Sequence, residues 1–342
     1  MSLTYPCGDP PAAGETKEVA PGVLWLRMPL PFALRWINLW LLEDDDGWLA
    51  VDTGVGTDEC RQLWSALLES PELRGRPVTR VLVTHMHPDH VGLAGWLTRK
   101  FHCPLLMSRL EYTTGRMLFT DTGREAPEEF TAFYRAAGWD EAALEAHRQR
   151  FGGFGRLIHR MPDSLRRVTA GDTLRIGGRQ WQVLGGNGHS PEHLCLWCPT
   201  LNLFISGDQI LPRISSNVSV FPTEPEADPL HDWLTSCARL KEALPAEVLV
   251  LPAHNEPFVG APERLQALID GHERSLDRVE KRLREAPRRC IDLFPALFPV
   301  HISGDQLGFA TGEALAHLHC LMGRGRARRV TDEAGIWQFS AG

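Results

Sequence analysis

The chain has 342 residues, 43% of them hydrophobic and 23% charged, with a formal net charge of −7. A length of this order holds one large domain plus an appendage, and the acidic balance excludes a general polyanion binder, though not a local basic patch. No apolar run of about 18 residues is present to span a membrane. Asp9, Glu15, Lys17 and Glu18 stand where a secretory peptide needs an apolar block, which predicts a cytoplasmic protein.

Residues 1–21, rich in proline and glycine, predict an irregular arm. Strands are then expected at Val23–Arg27, Trp36–Leu42 and Trp48–Asp52, with Asp44-Asp45-Asp46-Gly47 as a hairpin tip. Asp52-Thr53-Gly54 closes the third strand. Its carboxylate reads as an organiser of neighbouring loops, because no second ligand-type side chain lies beside it in sequence. Leu63, Leu67 and Leu68 predict a helix over Asp58–Glu69, ended by Pro71.

A strand at Arg80–Val83 leads into the densest chemistry of the chain, Thr84-His85-Met86-His87-Pro88-Asp89-His90-Val91-Gly92. On extended backbone residues i and i+2 point the same way, so His85 and His87 can share one cation. Asp89 and His90, past the Pro88 bend, remain for a second. Burying so many imidazoles and a carboxylate without a metal would leave polar groups unpaired. A helix to Lys100 and a strand at Pro104–Met107 complete a βαβ-like unit.

Residues 108–160 are helical by pattern and carry Tyr112, Phe130, Phe133, Tyr134, Trp139 and Phe154. Such an insertion suits a lid or an acyl-binding wall, and equally suits packing against the sheet. Strands follow at Thr173–Ile176 and Gln180–Leu184, then the turn Gly185-Gly186-Asn187-Gly188-His189. His189 is the better ligand there, and His193 is expected to support the loop or bind substrate. Cys195 and Cys198 form a CxxC pair, but on a strand i and i+3 face opposite sides, so buried reduced thiols are expected. The strand Leu201–Ile205 delivers Asp208, whose two oxygens could bridge two metals. A helix over Asp228–Ala243 and a strand over Val248–Leu251 deliver His254.

Taken in order, the HxHxDH turn (His85, His87, Asp89, His90), the GH loop (His189), the GD pair (Asp208) and the last strand-end His254 resemble the metallo-β-lactamase-fold hydrolases over about residues 20–258. Asp52-Thr53-Gly54 resembles the same family's early aspartate turn. The resemblance implies an α/β fold, an αββα sandwich with a dinuclear site at its edge. It implies one ion on His85, His87 and His189, a second on Asp89, His90 and His254, and Asp208 bridging. Two divalent ions would share a water that ionises near pH 7. Zinc suits the imidazole-rich set, and iron or manganese also accept mixed nitrogen and oxygen ligands. Asp89, Asp208 and His193 are the expected catalytic residues.

Beyond residue 258 the likeness thins. Pro262–Glu285 reads as one amphipathic helix with Leu265, Leu268, Ile269, Leu276, Val279 and Leu283 inward. A helix over Ala314–Met322 and two short strands flanking Asp332–Gly335 are similar to the winged-helix-like tail of lactamase-beta-like endoribonucleases. The expected organisation is therefore a catalytic domain, 1–258, with a helical insertion at 108–160, and a helical, winged-helix-like domain, 259–342. Arg324, Arg326, Arg328 and Arg329 form either a solvated face or a contact for phosphates.

A bridging aspartate disfavours true β-lactamases, and no CGHEY-like glutathione-contact stretch is present. The expected activity is hydrolysis of an ester, thioester or lactone of a small-molecule acyl substrate. Cleavage of RNA or DNA phosphodiesters is the alternative. Oligomer formation is left open.

Overall fold

The computed structural model describes residues 3–302 and 304–342. Seven strands form the first sheet in chain order: β1 (Thr16–Ala20), β2 (Val23–Pro29), β3 (Trp36–Asp44), β4 (Gly47–Val51), β5 (Val78–Leu82), β6 (Leu105–Met107) and β7 (Arg166–Arg167). The second sheet runs β13-β12-β11-β10-β9-β8, built from β8 (Thr173–Ile176), β9 (Arg179–Gly186), β10 (His193–Cys198), β11 (Leu203–Gly207), β12 (Leu249–Pro252) and β13 (Phe258–Val259). A separate hairpin, β14 (Ala327–Thr331) and β15 (Trp337–Ala341), lies at the C-terminus. The helices are α1 (Asp58–Leu68), α2 (Pro88–Val91), α3 (Ala94–Phe101), α4 (Arg109–Thr120), α5 (Glu128–Ala136), α6 (Glu141–Arg150), α7 (Pro229–Ala243), α8 (Ala261–Glu285), α9 (Phe294–Leu297) and α10 (Leu307–Gly323).

Strand periodicity stacks these layers. In β2, Val23 and Trp25 join the core between the sheets, while Leu24, Leu26 and Met28 face outward to Cys60, Trp64 and Leu67 of α1 and Leu97 of α3. In β10, Leu194, Leu196 and Cys198 point inward and Cys195 outward, towards the core that holds Trp233 of α7 and Leu265 of α8. At these strands both faces of each sheet are thus buried, which gives the αββα order. It also keeps the CxxC thiols on opposite faces, and both are free and buried.

The arm expected at the N-terminus contains a strand. β1 pairs antiparallel with β2, covering backbone donors and acceptors that an edge would otherwise leave open. The insertion is helical, as α4, α5 and α6, but its aromatic side chains mostly pack. Phe133, Tyr134 and Trp139 are buried in the same core as α7, α8 and α10; Trp139 Nε1 donates to Thr311 Oγ1 at 2.9 Å, and the Phe133 and Trp337 rings meet at 5.5 Å. Because that core also contains Phe204 and Val250 of the second sheet, the chain beyond residue 258 shares apolar packing with the sandwich. No helix among the described residues is long and apolar enough to cross a membrane.

Candidate metal centre

β4 and β5 run parallel, as do β11 and β12, so their carboxyl ends open on the same edge of the sandwich. Two backbone hydrogen bonds tie the sheets together there, Leu194 N–H to Thr84 O at 2.9 Å and Asn38 N–H to Ala253 O at 2.7 Å. β5 ends at Leu82, the chain bends through Thr84–His87 (His87 φ −59°, ψ 147°), and Pro88 then starts α2. That change of conformation explains how one short stretch serves two clusters. His85 and His87 leave the bend after β5, and Asp89 and His90 leave the first turn of a helix.

His85 Nε2 and His87 Nδ1 lie 2.9 Å apart, and together with His189 they form one group whose donor atoms fall within 4.8 Å of each other. Asp89, His90 and His254 form a second such group. Asp208 lies between them. Its Oδ2 is 3.3 Å from His189 Nε2, and its Oδ1 is 3.6 Å from His90 Nε2 and 3.5 Å from His254 Nε2. His90 Nε2, His189 Nε2 and Asp208 Oδ1 are buried with no hydrogen-bond partner among the described residues. Buried lone pairs converging without donors are what a cation satisfies, so the residues fit a divalent metal.

The remaining ring nitrogens are held from behind. His90 Nδ1 lies 2.8 Å from Asp52 Oδ2, His189 Nδ1 2.7 Å from Asn217 O, and His254 Nδ1 2.9 Å from Trp36 O. Each acceptor keeps the proton on Nδ1 and leaves the Nε2 lone pair aimed into the site. Asp52, the expected loop organiser, also accepts from Thr84 N–H at 2.8 Å and from the Thr84 hydroxyl. Glycines admit two of the ligands. Gly188 has φ +106°, and a Cβ there would sit 2.5 Å from Pro229 O; Gly207 has φ +51°, and its Cβ would sit 2.5 Å from His193 Nε2.

Burial drives the pKa of His85 well below its ordinary value and that of His87 down to about 3, with neighbouring imidazoles adding to the effect. Both rings therefore present lone pairs at neutral pH. Burial also works against ionising Asp89 and Asp208, but it is outweighed by His90 and His254, which hold both carboxyls below the usual range. In return those carboxylates overcome burial to raise His90 and His254.

His193, expected to be catalytic, is fully buried, and its Nε2 accepts the Asp208 backbone N–H at 3.1 Å. It therefore supports the Asp208 turn, the first of the two roles expected of it. Glu111, Asn217 and Trp36 were not singled out as site residues. Two of them act through backbone carbonyls, which carry no residue-type signal. For Glu111 the signal was Ser108-x-x-Glu111, a helix-start pattern. The tail arginines are engaged: Arg324 pairs with Glu273 at 2.8 Å, Arg326 with Asp277 at 2.8 Å and with Glu280, Arg329 with Glu226 at 2.8 Å, while Arg328 meets Ser340 at 3.0 Å. Acidic neighbours thus pair with three of the four guanidinium groups.

The pattern of the metallo-beta-lactamase superfamily matches residues 37–254, and that of the metallo-beta-lactamase-like C-terminal domain matches 276–342. A crystal structure of a beta-lactamase domain protein from Burkholderia ambifaria matches with a TM-score of 0.91 and 40% identity, covering 99% of this chain and 98% of that one. A probable metallo-hydrolase of Bacillus subtilis (strain 168) is 23% identical over 303 residues, 87% of this chain and 92% of its own. An acyl-coenzyme A thioesterase of Gallus gallus is 24% identical over 265 residues, 75% and 85% respectively. Since the superfamily pattern spans more than half of the chain and contains every histidine and aspartate of the two clusters, the protein belongs to the metallo-beta-lactamase superfamily and is a hydrolase of that superfamily, whose members bind divalent metals.

Proposed function

We propose that the protein hydrolyses an ester, thioester or lactone at a dinuclear centre. His85, His87 and His189 would hold one ion and Asp89, His90 and His254 the other, with Asp208 serving both. The observation that carries this reading is the placement of Asp208, with one carboxylate oxygen towards each cluster. When bound, such a pair polarises an acyl oxygen and lowers the pKa of a water towards neutrality. Zinc suits the five imidazoles best, with iron and manganese as compatible substitutes.

The chain's own groups do the rest. Asp52, Asn217 and Trp36 hold the Nδ1 protons of His90, His189 and His254, so the ligand set is preorganised. Asp89 Oδ2 lies 3.4 Å from His254 Nε2 and 3.7 Å from His90 Nε2, which turns that oxygen towards the second ion's position.

Apolar side chains favour an acyl group over a phosphodiester. The β2–β3 turn exposes Phe32 and Leu34, each at 43%, and leads to Trp36, whose carbonyl accepts from His254. Helix α4 exposes Leu110, whose N–H donates to Glu192, three residues past His189. The relative named an acyl-coenzyme A thioesterase supports the same substrate class.

Protein loaded with zinc, manganese or iron, assayed against acyl-coenzyme A thioesters, aryl esters and lactones, is expected to turn over at least one class. Turnover should fall at least about 100-fold in His87→Ala with the circular dichroism spectrum retained. Equal turnover in the variant would remove the assignment.

A further inference from the structure

Ser108 and Glu111 occupy the N-cap and N3 positions of α4, where the side chains ordinarily satisfy each other's backbone N–H groups. They do not do so here. Ser108 Oγ has no hydrogen-bond partner among the described residues. Glu111 is fully buried and reaches outward. Its Oε2 accepts Met86 N–H at 2.9 Å, and its Oε1 accepts Glu192 N–H at 2.8 Å. Glu192 answers in kind, its Oε2 accepting Leu110 N–H, in the first turn of α4, at 2.9 Å. The helix start and the His189 loop have exchanged caps.

The two amides held by Glu111 are not arbitrary. Met86 lies between His85 and His87, and Glu192 lies three residues beyond His189. One carboxylate therefore spans the two loops that supply the first cluster, reaching them across 25 and 81 residues of sequence. No equivalent contact from Glu111 to Asp89, His90 or His254 is present among the described residues. A buried carboxylate is costly unless hydrogen bonds satisfy it, and here the bonds that do so are the ones that set the spacing of the imidazoles.

We propose that Glu111 is a positioning residue for the His85–His87–His189 half of the centre, clamping the Met86 and Glu192 backbones so that the three imidazoles meet on one ion. The proposal rests on the dinuclear reading above. It gives α4, the first helix of the insertion, a part in building the metal site rather than in covering it. Glu111→Gln keeps the volume but turns one acceptor into a donor that faces a backbone N–H, so the clamp loses one of its two bonds. Glu111→Ala loses both.

The test is calorimetric titration of chelator-stripped full-length protein with Zn²⁺, with thermal unfolding of each stripped variant measured alongside. Wild-type protein should take up two ions, and fewer than two would overturn the dinuclear reading and the proposal with it. Glu111→Gln should weaken one ion by about 10- to 100-fold and leave the other unchanged. In a His254→Ala background, which disables the second cluster, Glu111→Gln should weaken the remaining ion by the same factor. In a His87→Ala background it should change nothing. Equal weakening of both ions, tracking the loss of thermal stability, would show a merely structural role and overturn the proposal; so would unchanged affinity. If Glu111→Ala fails to fold, the Gln variant carries the test.

Discussion

Asp52→Asn isolates the part played by hydrogen bonding behind a ligand. Asp52 is buried at φ +61°, a backbone conformation that asparagine tolerates, so the substitution adds little strain. Its amide oxygen can still accept Thr84 N–H across 2.8 Å, but its NH₂ then faces His90 Nδ1 across 2.8 Å. Two donors cannot share that contact. His90 must move its proton to Nε2, where the N–H points at Asp89 Oδ2, 3.7 Å away, and Asp208 Oδ1, 3.6 Å away, instead of offering a lone pair. Flipping the amide only transfers the conflict to Thr84 N–H. The expected outcome is a folded protein whose affinity for the ion on Asp89, His90 and His254 falls about 10- to 100-fold, equivalent to about 1.4–2.8 kcal/mol, with the other ion kept. Asp52→Ala should behave differently. It leaves two buried donors unpaired, at about 1–3 kcal/mol each, and adds left-handed backbone strain of about 1–2 kcal/mol, so it loses stability and metal together. Metal analysis after dialysis measures the stoichiometry, and ¹⁵N spectra of the imidazoles report the tautomer. Two ions bound at wild-type affinity in Asp52→Asn, with the proton still on Nδ1, would refute the reasoning.

Two further outcomes follow from groups near the centre. Glu313 on α10 accepts from Asn217 Nδ2 at 3.0 Å, and burial, offset in part by that bond, pushes its carboxyl from 4.5 up to about 7. Below pH 4.5 folded and unfolded chains both hold the proton, so the stability is fully present. It is lost as pH rises towards 7, because only the unfolded state ionises, and no further change is expected above that. At about 1.4 kcal/mol per pH unit the loss is at most about 3 kcal/mol, reduced by partial exposure. Glu313→Gln should therefore gain stability relative to wild type at pH 8 compared with pH 4 in thermal unfolding, and a pH-independent difference would contradict this. Gly207→Ala places a methyl 2.5 Å from His193 Nε2 at φ +51°. It should lower stability by about 1–3 kcal/mol and displace Asp208, read as a lower unfolding midpoint together with loss of bound metal.

The six side chains of the two clusters and Asp208 were legible in the sequence because they sit in short turns that come just after apolar strands. In such a position burial pattern, turn residue and ligand type are read from the same few residues, as at Leu203–Gly207 before Asp208 or Leu249–Pro252 before His254. The sandwich was legible for the same reason, since alternating strands announce which faces are covered. What stayed hidden depends on distant partners. The insertion's aromatic residues suit a ligand wall and core packing equally until Trp139 is seen against Thr311, 172 residues away. The tail arginines read either as a solvated face or as a contact for phosphates until Glu226, Glu273, Asp277 and Glu280 are seen beside three of the four.

Glu111 is the most instructive of these, since its local signal was real and its destination was not local. Ser108-x-x-Glu111 does start a helix, but its glutamate spends its acceptors on amides 25 and 81 residues away. The spacing of ligands within the HxHxDH turn records which atoms can reach an ion. A carboxylate outside both motifs is hydrogen-bonded to the backbones of the His87 and His189 loops, and on the proposal above it sets how close they come. A ligand pattern can therefore be complete in a chain whose centre binds only one ion, if the residue that holds the loops together is missing. On that proposal, whether the HxHxDH turn of this chain yields two bound metals depends on helix α4 as well as on the histidines, and the Glu111→Gln titration decides it.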